Sequence, residues 1–481
     1  MNSIIGRERE INSLQWCLEK GESQFVVVYG RRRVGKTFLI KEFFKNEFTF
    51  SMTGIYGATK DIQLANFTIA LRQYWNRNFK IPKDWTEAFY LLRDYLQEKK
   101  KKGKHRVVFF DEIPWLDTQK SDLLRAIEVF WNPWAAWEED IVFIMTASSV
   151  PWIKEKILHN IGGLYNRCTL QIYLPPFNLR KTELFLQYKG INWSRYDVAS
   201  CHLIMGGIPY YLNLLNPELP LDKNIDEIFF GKNVKLQHEY EQICETSFKN
   251  TKEHTAVIEA LASKKEGLTR NEILEKTGLP NNGLISKILE NLIYCDFVQE
   301  YNYFGNKKRE SVYQLCDFFT IFYYNFLKGN TSRDKHFWSN LKNNEQKELW
   351  ADNAFEQLCK DHLQQIKKAI GIGSVISEFS LWFNKPDEYT RENIHIGLLI
   401  DRNDNVIDIC EMKFCNEEYE IDKDCDMSIR NKIGTFQFQT NTRKAVCCIM
   451  ITPFGVKRGM YSDIVRSQVC LDDLFSIVDR Y

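Results

Sequence analysis

The chain has 481 residues, of which 44% are hydrophobic, and its 64 basic and 63 acidic residues leave a formal net charge of +1. This length exceeds what one hydrophobic core holds, and about 150 residues per domain predicts roughly three domains. The near balance of charge excludes a general nucleic-acid coat and a protein held on a membrane surface, although local basic patches stay open.

The pattern of cysteines and the first residues of the sequence indicate the cellular compartment that we expect for this protein. The thirteen cysteines are spread without paired spacing, and several, such as Cys295 and Cys448, lie in apolar runs typical of buried thiols. The lack of Cys-x-x-Cys and of a histidine cluster argues against structural zinc. MNSIIGRERE lacks signal-peptide features, and no apolar stretch approaches the ~20 residues that cross a bilayer. We expect a soluble, reduced, cytoplasmic protein with no membrane partner.

The first third of the chain alternates helical and strand patterns. Ile11 to Leu18 and Phe38 to Phe44 have helical spacing, whereas FVVVYG, RVVFFDE and IVFIMTAS are short apolar runs. Continuous apolar strands separated by helices indicate a parallel sheet that is covered on both faces. We therefore predict an α/β core domain over residues 1–177.

The rest of the chain predicts three further domains. Residues 178–250 are mainly helical, with GGIPYYL as a break. Residues 251–330 predict three short helices, with Thr269 as the N-cap of the second, followed by a hairpin around FGNKKRE. Three helices followed by a hairpin are typical of a winged helix-turn-helix. Lys328 to Lys347 is polar and predicts a linker or an exposed helix. Residues 331–481 then predict a separate α/β domain.

Residues 30–37 form the strongest motif of the chain. Their sequence, GRRRVGKT, fits G-x-x-x-x-G-K-[ST] at every position, between a strand ending at Tyr29 and a helix beginning at Lys36. We expect backbone N–H groups to close around the β-phosphate of ATP, Lys36 to reach the β- and γ-oxygens, and the Thr37 hydroxyl to hold magnesium (Mg²⁺). A chance glycine-rich turn is the alternative. The predicted nucleotide-binding residues are Gly30, Arg31, Arg32, Arg33, Val34, Gly35, Lys36 and Thr37.

Two acidic residues, Asp111 and Glu112, follow the second apolar strand. The carboxyl end of a parallel strand lies at the ligand-binding edge of its sheet. We expect Asp111 to coordinate magnesium through water, and Glu112 to orient or deprotonate the attacking water. Without the P-loop, a solvated loop start would be the usual interpretation of this pair.

Three further polar residues are candidates for catalysis. The third strand ends in Ser148 and Ser149, either of which is a candidate sensor of the γ-phosphate, with a helix N-cap before Pro151 as the equal alternative. Arg167, in GGLYNRCT, is a candidate charge-neutralising arginine within the chain or across a subunit interface, with an ordinary surface arginine as the alternative. The predicted catalytic residues are Lys36, Glu112, Ser148 and Arg167.

Taken together, these segments resemble a known family. IIGREREINSL, YGRRRVGKT, FFDEIPWL, GGLYNR, LPPF and GGIPYYL are similar to the prokaryotic AAA-type (archaeal-type) ATPases, which lie close to the signal-transducing STAND ATPases. The resemblance covers essentially the whole chain. It implies that Gly6 and Arg7 lie by the adenine, that residues 178–248 are a helical lid, and that residues 254–317 are the winged helix. It also implies ATP-linked self-association through the ATPase core.

The same resemblance implies a restriction-endonuclease-like fold for the C-terminal domain. The matching residues are Glu356, Glu411 and Lys413, of which the two acidic groups hold a metal and the lysine positions or deprotonates the attacking water. Glu411 and Lys413 are two apart on a strand and therefore project from the same face.

The chain departs from this nuclease pattern at one position. The family's strand carries an aspartate where this chain has Gly397. Asp401 lies four residues on, displaced by roughly 13 Å along the strand, and is a poor substitute. We therefore expect a retained fold with weak or lost cleavage. Asp401, Glu411 and Lys413 are then the remnant of a nuclease site.

The winged helix raises the question of a DNA partner. Its third helix, within NNGLISKILENLIYC, has Lys287 as its only cation and Glu290 nearby, and the hairpin tip adds Lys307, Lys308 and Arg309. These groups are candidates for phosphate contacts. A spacer or a protein-binding wing is the alternative.

Three functions follow from these patterns. The first is an ATP- and magnesium-dependent switch or motor linked to DNA binding, DNA processing or defence. The second is an ATP-regulated, metal-dependent DNA nuclease. The third is a signalling ATPase whose last two domains bind only proteins. A salt-sensitive affinity for DNA separates the first from the third.

Overall fold

The computed structural model describes residues 4–159, 162–230, 234–236, 238–248, 250–305, 311–332, 334–341, 344–384 and 393–478. The chain divides into two compact units, of which the first is Met1–Pro176 with Glu245–Lys249 and the second is Phe177–Cys244 with Asn250–Tyr481. Among the helices of the described ranges, none is long and apolar enough to cross a bilayer.

The first unit consists of a parallel sheet and the helices that cover it. Its strands are β1 (Gln24–Tyr29), β2 (Phe50–Thr53), β3 (Arg106–Asp111), β4 (Ile141–Ala147) and β5 (Leu170–Tyr173). Its helices are α1 (Glu8–Glu19), α2 (Lys36–Phe43), α3 (Lys60–Trp75), α4 (Trp85–Glu98), α5 (Ile113–Leu116), α6 (Leu123–Trp131) and α7 (Val150–Ile153).

The strands of this sheet run in the order β2-β3-β4-β1-β5, and every neighbouring pair is parallel. The strands β1, β3 and β4 are buried almost throughout, as their continuous apolar runs predicted. One face packs on an aromatic core that includes Phe25, Trp85, Phe110 and Phe143. The predicted α/β core with a parallel sheet is confirmed.

The second unit begins with helices and a small sheet. The helices are α8 (Leu179–Tyr188), α9 (Arg195–Met205), α10 (Pro209–Leu212), α11 (Leu221–Ile225), α12 (Glu239–Ser247), α13 (Thr251–Ala262), α14 (Arg270–Thr277), α15 (Gly283–Tyr294) and α16 (Phe318–Phe322). The strands β6 (Leu268–Thr269), β7 (Val298–Tyr301) and β8 (Val312–Leu315) pair antiparallel in the order β6-β8-β7. The last residues of α12 fall in the first unit.

A mixed sheet completes the second unit. Its strands β9 (Ser377–Phe383), β10 (His395–Arg402), β11 (Val406–Met412), β12 (Ala445–Thr452) and β13 (Val465–Cys470) lie in sequence order, antiparallel up to β11 and parallel from there. Its helices are α17 (Phe337–Asn340), α18 (Glu345–Asp361), α19 (Leu363–Ala369), α20 (Lys423–Thr440) and α21 (Leu471–Leu474).

The polar segment from Lys328 to Lys347 differs from the predicted linker or exposed helix, because part of it is buried. Trp338 in this segment is only 2% exposed and packs edge-on against Phe322, Phe326 and Trp350. Flanking polar residues masked one strongly buried aromatic residue, so the composition of the segment did not indicate its burial.

Candidate functional site

The P-loop adopts the conformation that its glycines permit. It runs from the end of β1 at Tyr29 to the start of α2 at Lys36, as predicted. Gly30 and Gly35 have φ of +152° and +95°, where side chains are strained. A Cβ at Gly30 would also collide with the backbone carbonyl of Leu174. The loop therefore requires glycine at both positions, and at Gly30 for two reasons.

Lys36 lies inside this loop. Its Nζ donates hydrogen bonds to the carbonyls of Gly30 and Arg31, each at 3.0 Å, and the residue is only 5% exposed. Burial lowers the pKa of Lys36, and the nearby carboxylates of Glu112 and Asp111 oppose this. The ammonium is thus held within the loop that is predicted to enclose the phosphates.

The carboxylate of Asp111 is held by hydroxyl groups from neighbouring elements. Its Oδ1 accepts hydrogen bonds from Thr37 Oγ1 at 2.8 Å and from Thr146 Oγ1 at 2.6 Å, and its Oδ2 accepts one from Thr53 Oγ1 at 3.4 Å. Thr37 lies in the first turn of α2, whereas Thr53 and Thr146 lie on β2 and β4, the strands on either side of β3. The two residues predicted to bind magnesium, Thr37 and Asp111, are therefore in direct contact.

Glu112 lies beside this group, directly after β3, and its side chain contacts the residue that follows β4. Its Oε2 accepts hydrogen bonds from the backbone N–H of Ser148 at 3.0 Å and from Ser148 Oγ at 2.7 Å, and its own N–H donates to Thr146 Oγ1 at 3.0 Å. Its φ of +53° is in the left-handed region, which is strained for a glutamate. Strain of this kind is concentrated at functional sites, where the surroundings enforce one conformation.

The two serines after β4 have different environments. Ser148 is 4% exposed and contacts Glu112, whereas Ser149 precedes α7 without a side-chain hydrogen bond to that helix. Arg167 is exposed on the turn before β5, where its backbone N–H donates to Leu164. The structure therefore brings Ser148 to the predicted catalytic group and does not bring Arg167 there.

Arg7 packs against the P-loop from the chain's N-terminal side. Its Nη2 donates hydrogen bonds to the carbonyls of Val34 at 3.1 Å and of Pro175 at 2.8 Å. The residue is 3% exposed, and burial lowers its pKa to about 10, against the opposing charge of Glu10. Gly6 precedes it in a left-handed conformation, with φ of +66°. Arg7 thus ties the P-loop to the segment that follows β5.

The remaining P-loop arginines have separate surroundings. Arg31 is 3% exposed, and Arg32 Nη1 lies 3.4 Å from the hydroxyl of Thr246. Arg33 has φ of +74°, another strained position within the loop. The three arginines of the P-loop therefore have different surroundings, and their shared motif does not assign them one common role.

Sequence reasoning missed Thr146 and Thr53. Thr146 bridges the site, since its hydroxyl donates to Asp111 and accepts from the N–H of Glu112. The one available signal was a threonine near the end of an otherwise apolar strand, in IVFIMTAS. Its role became visible only through the pairing of β3 with β4, which sets Phe110 against Met145 and Thr146 next to Asp111.

The residues of the predicted nuclease remnant lie in the second unit. Glu356, Gly397, Glu411 and Lys413 line one cleft of about 680 Å³. Asp401 is not part of its lining, and instead accepts a hydrogen bond from Lys444 Nζ at 2.6 Å. Of the four residues that the resemblance places in one site, Glu356, Glu411 and Lys413 are thus together, and Asp401 is apart from them.

Glu356 has an unusual charge environment within this cleft. Burial raises the pKa of its carboxyl, but the charges of Lys360 and His395 outweigh burial and hold that pKa at about 2. His395 is on β10, and burial lowers its pKa. The carboxylate is thus strongly favoured in its charged form.

Residues 4–215 match the profile of a family described as an ATPase domain predominantly from Archaea. The uncharacterised protein MJECL04 of Methanocaldococcus jannaschii is 23% identical over 398 residues, which are 80% of this chain and 83% of that protein. The uncharacterised ATP-binding protein MJ0423 of the same organism is 40% identical over 44 residues, which are 9% of this chain and 75% of that protein. Over residues 4–215, the chain is therefore similar to an archaeal-type ATPase domain.

Solved structures of low identity also resemble the chain. The Walker-type ATPase of Pyrococcus abyssi is 16% identical with a TM-score of 0.43, covering 66% of this chain and 95% of that one. The ORC2 protein of Aeropyrum pernix, in ADPNP and ADP complexes, is 14% identical with a TM-score of 0.42, covering 66% and 94%. A STAND protein with a tetratricopeptide repeat sensor from Pyrococcus horikoshii is 16% identical with a TM-score of 0.30, covering 78% and 52%.

Proposed function

We propose that this chain, whose residues 4–215 are similar to an archaeal-type ATPase domain, is a magnesium-dependent ATPase that works as a nucleotide-driven switch or motor. The observation that carries the proposal is the contact between Thr37 and Asp111, 2.8 Å apart, beside the buried Lys36. A hydroxyl, a carboxylate and an ammonium group thus converge at the start of one helix. This is the set of groups that phosphoryl transfer from ATP requires.

The donor set fits magnesium. Mg²⁺ takes oxygen ligands and is usually bound by one or two carboxylates together with phosphate oxygens and water. Thr37 and Asp111 supply a hydroxyl and a carboxylate oxygen on adjacent elements. When bound, the ion would neutralise charge that develops on the phosphates. Lys36 would neutralise further charge, and Gly30 and Gly35 would open the backbone N–H groups to the phosphates.

Glu112 is the proposed water-positioning residue. Its carboxylate is at the carboxyl end of β3, next to Asp111, and is held in one place by two hydrogen bonds from Ser148. A carboxylate fixed in this way can orient a water molecule and accept its proton. Ser148 is therefore proposed to position Glu112, which connects the sensor candidate to the catalytic group.

Two variants test the ATPase proposal. Lys36→Ala should abolish ATP binding, because the ammonium at the phosphates is lost, and Glu112→Gln should bind ATP but lower kcat by about 10²- to 10⁴-fold. Phosphate release and binding of a fluorescent ATP analogue measure the two effects. Lys41→Ala and Glu47→Gln, both at exposed positions, are the matched controls. Normal turnover in Lys36→Ala would refute the assignment of the P-loop.

DNA binding is the proposed output of the switch. Residues 251–315 supply three helices and an antiparallel hairpin, the order of a winged helix, which supports this proposal. Lys287 and Glu290 are both exposed on α15, and Arg270 Nη1 donates to Ser286 Oγ of the same helix at 2.7 Å. Arg270 thus adds a second cation beside the predicted recognition helix.

The predicted cations of the hairpin tip, Lys307, Lys308 and Arg309, lie outside the described residues. Their part in phosphate contacts stays a prediction, as does self-association through the ATPase core. The phosphate contacts belong to the proposal that several cations together hold a polyanion partner.

Salt-dependent binding tests the DNA output. Wild-type protein should bind duplex DNA with an affinity that falls as the salt concentration rises. The double variant Arg270→Ala, Lys287→Ala should bind more weakly, and the slope of log affinity against log salt concentration should become less steep by about two. Fluorescence anisotropy with ATP and ADP measures both the affinity and its dependence on nucleotide. Lys276→Ala, on the neighbouring helix, is the control. No affinity for DNA at low salt would favour the signalling ATPase that binds only proteins.

A further inference from the structure

The cleft of the second unit has acidic residues on two of its walls. Glu356 and Asp352 are on α18, and Glu411 is on β11. Carboxylates gathered in a cleft are the ligands that a divalent cation requires, and the resemblance to nucleases implies such an ion here. Whether these groups fit an ion depends on what each carboxylate contacts.

Each of these carboxylates is bound by a lysine. Lys432 Nζ contacts both oxygens of Glu411, at 2.7 and 2.8 Å, in a pair whose side chains are 24% and 15% exposed. The other two pairs are Lys360 with Glu356, at 2.8 Å, and Lys413 with Asp352, at 3.1 Å. The lysine of the Glu-x-Lys pattern therefore serves as a counter-ion rather than facing Glu411.

The lysines are held by further contacts. Lys360 Nζ also donates to Gln314 Oε1 at 2.8 Å and is 5% exposed as a side chain. The backbone N–H of Phe414 donates to Asp352 at 2.8 Å, which fixes the carboxylate that Lys413 meets. An ion that entered the cleft would have to displace lysines that are partly buried, and each would lose its paired charge.

Gly397 shows where a further carboxylate would have to fit. A Cβ at this position would collide with the carboxylate of Glu356, which lies directly against the glycine backbone. Glu356 is in turn held by Lys360. An aspartate at 397 would therefore fit only if the end of the Glu356 side chain moved aside.

The carboxylates of the cleft also do not converge on one point. Among the residues that the structure describes, no group of three His, Cys, Asp or Glu side chains is arranged to hold an ion. The cleft thus offers separate ion pairs instead of convergent ligands.

We infer that Lys432, with Lys360 and Lys413, takes the place of a divalent cation in this cleft, so that the C-terminal part of the chain neither takes up Mg²⁺ or Mn²⁺ nor cleaves nucleic acid. The inference goes beyond the ATPase and does not depend on it. It also means that the missing aspartate is not the sole barrier. Restoring it at Gly397 leaves Glu411 bound to Lys432, and two changes are needed to create an ion site.

Manganese binding to the nucleotide-free full chain tests this inference. Electron paramagnetic resonance counts the Mn²⁺ ions bound per chain. Each protein is measured with and without the additional change Glu411→Ala, and the number of ions lost on adding that change is the number bound in the cleft. We compare wild type, Gly397→Asp and Gly397→Asp with Lys432→Gln. The matched control replaces Lys432→Gln by Lys423→Gln, an exposed lysine on the same helix.

We expect no Mn²⁺ bound in the cleft of wild type, of Gly397→Asp or of the control. We expect about one Mn²⁺ per chain in the cleft of Gly397→Asp with Lys432→Gln. Mn²⁺ bound in the cleft of wild type or of Gly397→Asp would overturn the inference. So would its absence from the cleft of a folded Gly397→Asp, Lys432→Gln chain, because the lysine would not then be the barrier. Circular dichroism verifies folding. If that chain does not fold, the values for wild type and Gly397→Asp still decide.

Discussion

Asp111 and Glu112 are adjacent in the chain but are held by different partners. Threonine hydroxyls from α2, β2 and β4 surround Asp111, whereas Ser148 binds the side chain of Glu112. The shared partner is Thr146, which contacts both residues. Short hydroxyl groups at strand ends and at the start of α2 therefore position both acidic groups, which limits their motion before a nucleotide arrives.

His202 gives a prediction at the same scale. It is 3% exposed on α9, 3.2 Å from Thr182 Oγ1, and burial together with the nearby His362 lowers its pKa to about 3. The unfolded chain has a histidine pKa of about 6.5, so it binds a proton first as the pH falls. The stability that neutral His202 contributes is thus present above pH 6.5 and is lost as the pH falls towards 3.

We expect wild-type protein to lose about 2 kcal/mol of unfolding free energy at His202 between pH 7.5 and pH 5.0. Urea unfolding of the second unit at both pH values, followed by hydrogen exchange of α8 and α9, measures this loss. His202→Gln removes the titrating group and should show a pH dependence smaller by that amount. Equal pH dependence in the two proteins would contradict the prediction.

At the element scale, α14 shows how a short helix is fixed locally. Thr269 was predicted as its N-cap, and the structure confirms this with a capping box. The N–H of Thr269 donates to Glu272 Oε2 at 2.7 Å, and Thr269 Oγ1 accepts from the N–H of Glu272 at 3.3 Å. Two backbone donors at the start of the helix are thereby satisfied by residues three apart.

Thr269→Ala should lower the stability of this helix by about 1 kcal/mol, because the backbone N–H of Glu272 loses the hydroxyl that accepts its hydrogen bond. Thr269→Ser keeps the hydroxyl and should stay close to wild type. Hydrogen exchange of residues 270–277 in increasing urea detects the difference. An alanine variant as protected as the serine variant would show that tertiary packing alone holds α14.

At the scale of the whole molecule, distant segments join within the second unit. Tyr196 of α9 stacks on Phe414 with ring centroids 4.8 Å apart, and on Phe454 at 5.6 Å. Phe414 and Phe454 follow the ends of β11 and β12. In the same unit, the segment that follows β7 joins the C-terminal sheet, since Phe304 N–H donates to the Leu381 carbonyl at 2.8 Å.

Tyr196→Ala should destabilise this junction by about 2 kcal/mol, because a stacked, half-buried ring is lost from between two others. The measurement is hydrogen exchange of residues 195–205 and 411–416, which should both become less protected. Tyr188→Ala removes a tyrosine that is 49% exposed on α8, and is expected to change stability by less than about 0.5 kcal/mol. Loss of protection in residues 195–205 alone would show that α9 is not joined to β11.

The sequence alone determined those features that depend on neighbouring residues. The P-loop from Gly30 to Thr37, the strand that ends in Asp111 and the cap at Thr269 are all set by backbone conformation and hydrogen bonding within a few positions. Glycine conformation, apolar continuity and capping are local properties, so a pattern predicts them.

Only the tertiary structure decided the partners of the charged groups. Thr146 is 35 residues from Asp111, Ser148 is 36 from Glu112 and Lys432 is 21 from Glu411. Strand register and helix packing set these pairs, and neither is encoded in the residues next to the acidic group. The Glu-x-Lys pattern therefore predicted a metal site, while long-range packing supplied the lysine that pairs with its glutamate.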